Sequence, residues 1–134
     1  MSFRDSRTTA FEAGLKRVFD RIDAELETRY GHRYPLHPAR PAGGQTGNPE
    51  MDGLFNVGAA FSAGFGSEHG PGYIVNVRMV TLRAVPPEVQ EQMEEEVAAQ
   101  LRQLLPETFP GRTLHVDRDG HVFKIHGDLS LGAA

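Results

Sequence analysis

Six histidines and no cysteine set the chemical range of this 134-residue chain. Without thiols there are no disulfides, no thiolate nucleophile and no Cys-ligated zinc or iron–sulfur cluster. That composition is compatible with a reducing cytoplasm. Two short strings put an imidazole next to a carboxylate: Ser67-Glu68-His69 and His126-Gly127-Asp128. Such a pair is the smallest set that performs general acid–base chemistry or holds a metal weakly. Glu68, His69, His126 and Asp128 are therefore the candidate catalytic residues, with Arg112 a binding candidate beside them. Arg40, Asn48 and Asp52 are loop-borne binding candidates. The competing reading is that these are ordinary polar residues at loop tips.

The remaining histidines give no metal signature. No His-Glu-x-x-His string and no Asp-rich calcium loop occurs, and His32 and His37 have no helical spacing. His115 and His126 are expected on one outward face of a hairpin but diagonal to each other, which is wide for shared ligation. No metal and no cofactor is expected on these grounds. Gly64-Phe65-Gly66 through Gly70-Pro71-Gly72 superficially resembles a dinucleotide loop, but a strand follows it instead of a helix. No phosphate-loop Gly-Lys-Ser/Thr and no Gly-x-Ser-x-Gly elbow is present.

The elements that must position these residues follow from periodicity. Phe11, Leu15, Val18, Phe19, Ile22 and Leu26 recur at three- and four-residue intervals, predicting an amphipathic helix. Thr9 and Glu12 stand at capping-box spacing, and Gly31 suits a left-handed helix end. Lys16, Arg17, Arg21, Asp23 and Glu27 fall mostly off the stripe. Residues 31–53 hold four prolines and lose all period, an unusual connection inside a compact domain that is usually either disordered or functional. Arg29, His32, Arg33, His37 and Arg40, interleaved with Tyr30 and Tyr34, make its start locally basic.

Alternation from Phe55 to Phe65, with Asn56, Gly58, Ala60, Ser62 and Gly64 between, predicts a strand with a small-residue face. A turn-rich segment at 66–72 and the run Tyr73–Leu82 complete a long hairpin. Pro87 opens a second helix carrying Val89, Met93, Val97, Leu101, Leu104 and Leu105, with Pro106 and Pro110-Gly111 at its exit. Glu94-Glu95-Glu96 reads as a solvated face. Asp119-Gly120 predicts a tight second hairpin with Val116 opposite Phe123, Leu114 opposite Ile125 and His115 opposite Lys124.

The order αββαββ predicts an α+β fold: a mostly antiparallel four-stranded sheet of two hairpins, with two helices on one face. The length suits a single domain over 1–134. In this arrangement Glu68, His69, Arg112, His126 and Asp128 are expected near one end of the sheet. A net charge of −4 argues against a broad nucleic-acid footprint. No apolar stretch reaches membrane-span length, so a cytoplasmic location is expected. The small-residue strand face and the apolar first helix point to a non-catalytic binding or assembly module, a homodimer. A small enzyme or ligand-binding domain using the polar end, with a small-molecule or protein partner, is the alternative.

Overall fold

The computed structural model describes residues 6–31, 33–36, 38–43, 45–46, 53–81 and 83–129. The elements run α1 (Ser6–Tyr30), β1 (Phe55–Ser62), β2 (Gly72–Met79), α2 (Pro87–Thr108), β3 (Leu114–Asp119) and β4 (Val122–Gly127). All four strands join one antiparallel sheet in the order β1-β2-β4-β3. This is the α+β arrangement expected from the sequence.

One contiguous apolar core joins both helices to the sheet. The α1 stripe of Phe11, Leu15, Val18, Phe19, Ile22, Leu26 and Tyr30 is buried throughout. Met93, Val97, Ala98, Leu101, Leu104 and Leu105 do the same for α2. The sheet contributes Phe55, Val57, Tyr73, Val75, Met79, Val116, Phe123 and Ile125 from its helix-facing side. The opposite, outer side carries Asn56, Gly58, Ala60 and Ser62 on β1, and His115, Asp117, Asp119, Lys124 and His126 on β3 and β4. Alternation of side chains along each strand fixes that division.

Several local expectations are corrected. The helix begins at Ser6, so Thr9 and Glu12 lie inside it, and Glu12 instead accepts a hydrogen bond from the Tyr73 hydroxyl at 3.0 Å. Gly31 closes the helix through its N–H to the Glu27 carbonyl at 2.9 Å, without a positive φ. Asp23 is buried, because its position borders the stripe between Phe19 and Leu26. Helix α2 continues two residues past Pro106. Its acidic run is not uniformly solvated: Glu96 folds back to accept the Tyr30 hydroxyl at 2.5 Å. Strand β1 ends at Ser62, three residues before Phe65.

The second hairpin keeps its predicted faces but shifts its register by two residues. Val116 pairs with Ile125, and His115 pairs directly with His126. The turn residues are Gly120 and His121, and Gly120 has φ +68° while among the described residues only glycines have positive φ. Positive φ at the first central position alone is the pattern of a type II′ turn, which places Gly there. Asp119 thereby becomes the last strand residue, opposite Val122.

Candidate functional site

The connection from Ser62 to Gly72 does not project from the end of its hairpin. It folds over the outer side of β3 and β4. Gly64 makes the reversal possible: it has φ +80°, and a Cβ there would lie 2.1 Å from the Gly70 carbonyl group. Ser67 closes the turn, its N–H donating to the Gly64 carbonyl at 3.0 Å and its Oγ to the same oxygen at 2.8 Å.

Lys124 lies under this connection, only 2 % exposed. A buried ammonium is costly unless every proton finds an acceptor. Here its Nζ donates to Ser67 Oγ at 3.0 Å and to the Gly70 carbonyl at 2.8 Å. The charge is balanced by Asp119 Oδ2 at 2.9 Å. The Asp119 carboxylate also accepts the backbone N–H groups of Glu68 and His69, both at 3.1 Å. The Lys124 hydrogen bond, together with these two amides, holds the Asp119 carboxyl far below the usual carboxylate range.

Beside this anchor is a cluster of imidazoles. The His69 ring stacks on His126 with centroids 4.4 Å apart, and His115 approaches His126 at 5.3 Å. His126 Nε2 donates to Asp117 Oδ2 at 2.8 Å, and that bond holds Asp117 below its ordinary carboxylate value. His69 Nε2 lies 3.0 Å from the Arg118 carbonyl. One potential ligand atom from each of His69, Asp117 and His126 falls within 4.8 Å of the others.

The predicted site residues divide into separate places. His69 and His126 come together on the outer side of the sheet. Glu68 contributes its backbone N–H to Asp119, and its side chain is exposed. Arg112 meets Asp128 through the backbone carbonyl at 3.3 Å, near α1, where its guanidinium lies over the Phe11 ring. Arg40 donates to the carbonyls of Gly53 and Phe55 at 2.7 and 2.8 Å, fastening the long connection to the start of β1. Asn48, Asp52, His32 and His37 lie outside the described residues.

Asp117 is absent from the residues the sequence points to, and Asp119 enters there only as a turn residue. The signal for them was the alternation His115, Asp117, Asp119 on one strand face. The two-residue register shift concealed which partners they meet, and it made His115 and His126 diagonal when they are direct neighbours.

A second feature lies on the other side of the sheet, at the β1 edge. An open groove of about 350 Å³ runs between α1 and β1, lined by the apolar Leu15, Phe19, Val57 and Phe61 and by the charged Glu12 and Lys16. Phe61 at its rim is 60 % exposed.

A family model described as an uncharacterised protein matches residues 6–127, which span every helix and strand above. The chain belongs to that family. A curated relative from Borreliella burgdorferi (strain ATCC 35210 / DSM 4680 / CIP 102532 / B31), described as an uncharacterized protein, is 34% identical over 122 residues. The match covers 91% of this chain and 95% of the relative. No solved structure matches. Among the described residues, no helix is long and apolar enough to cross a membrane.

Proposed function

We propose that the chain is a non-catalytic assembly module that forms a homodimer through the edge of β1. The observation that carries this reading is a projecting ring and a matching groove on the same uncharged strand edge. Strand edges are normally protected by charge, proline or a bulge, and Phe55–Ser62 contains neither a charged residue nor a proline.

The edge is open where it matters. Leu54 uses its carbonyl toward β2, accepting from the Val80 N–H, whereas the Phe55 carbonyl faces away and is taken by Arg40. By alternation, the backbone groups of Val57, Ala59 and Phe61 face outward too. No backbone group of the described residues pairs with them.

A two-fold axis at Ala59 sets Val57 opposite Phe61 of the partner, and Ala59 opposite its own copy. All three are then hydrogen-bonded pairs with outward-facing backbone groups. The exposed Phe61 ring enters the groove beside Val57, Leu15 and Phe19, and the small Gly58 and Ala60 meet on the outer side without crowding. The result is a continuous eight-stranded sheet.

Light scattering and sedimentation equilibrium of the untagged chain test this. Dimeric wild type and monomeric, fully folded Phe61→Lys are the expected results. A wild-type chain that stays monomeric at high micromolar concentration, or a Phe61→Lys chain that stays dimeric, overturns it.

A further inference from the structure

We propose that His69, Asp117 and His126 form a binding site for a divalent first-row transition metal, which clasps the Ser62–Gly72 connection onto the β3–β4 hairpin. The ligand atoms of the three residues are already gathered within 4.8 Å of one another. They come from separate parts of the chain, His69 from the connection and the other two from paired strands. An ion held by all three therefore cross-links them.

The hydrogen bonds prepare each ligand. A backbone carbonyl only accepts, so the His69 nitrogen 3.0 Å from the Arg118 oxygen is the one carrying hydrogen. This assignment leaves Nδ1 with its lone pair, and the Nε2–H bond to a carbonyl is the orienting contact that ligating histidines commonly make. His126 Nε2 and Asp117 Oδ2 share a proton at 2.8 Å. A metal ion binding there takes that proton's place and releases it to solvent. Lys124 does not compete for Asp117, because its ammonium is committed to Asp119, Ser67 and Gly70.

The donor set selects the class of ion. Two imidazoles with one carboxylate suit zinc, cobalt, nickel or ferrous iron, whereas calcium and magnesium require mainly oxygen. Three protein donors leave a tetrahedral position for water or for His115, which is exposed and directly opposite His126. The His69 and His126 planes are now 15° from parallel, so ligation turns one ring.

The test titrates the untagged, metal-stripped chain with Co²⁺ and Zn²⁺, followed by calorimetry and by cobalt visible absorption. One equivalent is expected to bind, with ligand-field bands and slower proteolytic cleavage in the Ser62–Gly72 connection. His69→Ala, a loop substitution that leaves the core intact, weakens binding by at least about tenfold and abolishes the metal-dependent protection. Asp117→Asn provides the same comparison from the strand side. Absence of binding by the wild type, or equal binding by both variants, overturns the proposal, as does binding that leaves cleavage unchanged.

Discussion

Lys124 and Asp119 meet at 2.9 Å beneath the Ser67–Gly70 segment, on adjacent strands of one hairpin. The pair is the reason the connection between β1 and β2 lies flat against a neighbouring strand pair. Lys124 supplies donors to the connection's oxygens, and Asp119 supplies acceptors to its amides. Removing either partner leaves the other buried without its counter-charge. Lys124→Met and Asp119→Asn are each expected to lower the melting temperature by several degrees and to admit protease at the connection. Because the two act as one unit, the double variant loses less than the sum of the single losses.

The Gly64 reversal is independently testable. A methyl group there collides with the Gly70 carbonyl, and φ +80° is unfavourable for any L side chain. Gly64→Ala is expected to cost about 1–3 kcal/mol in a chemical melt. Its proteolysis pattern matches that of Lys124→Met, because both release the same segment.

A pH dependence follows from Tyr30 and Glu96. The hydrogen bond to Glu96, then burial, then the Glu96 charge raise the Tyr30 pKa above its ordinary 10.0. The folded state thus retains the phenolic proton more tightly than the unfolded chain does. Stability from this bond is complete below about pH 10 and is lost as pH rises through the higher folded value. Tyr30→Phe is expected to be about 1 kcal/mol less stable at neutral pH. Urea melts from pH 8 to 11 should show the two curves converging only at the alkaline end.

Arg40 separates an anchoring role from a ligand-binding one. Its guanidinium donates to two backbone carbonyls at the entrance to β1. Arg40→Ala is expected to cost about 1–3 kcal/mol and to increase cleavage among the described residues between 33 and 46. An unchanged melt would show that these two bonds contribute nothing.

The layered fold was legible in the sequence because its signals are local. Two apolar stripes of helical period, two alternating runs and their turn residues determine α1, α2, the hairpins and their buried faces. The polar site was only half legible. His69 and His126 were singled out, yet their meeting depends on a connection that doubles back at Gly64 and on a turn one residue later than the Asp-Gly dipeptide suggests. Alternation is blind to a register shift of two, since both registers bury Val116, Phe123 and Ile125. The shift moves His115 onto His126 and Asp117 onto Lys124, and it frees Asp119 to hold the connection. Arg112 and Asp128 leave the group because β4 ends beside α1, away from the face that the connection covers.

The two halves of the Ser62–Gly72 connection serve different ends. Ser67 to Gly70 is bound from beneath, while Phe65 is 96 % exposed and a side chain at Gly66 would meet nothing within 4 Å. The Phe65–Gly66 junction is therefore a natural graft point. A foreign epitope or a dye inserted there rides on a fixed platform, and its mobility reports directly on whether the anchored half is seated or lifted.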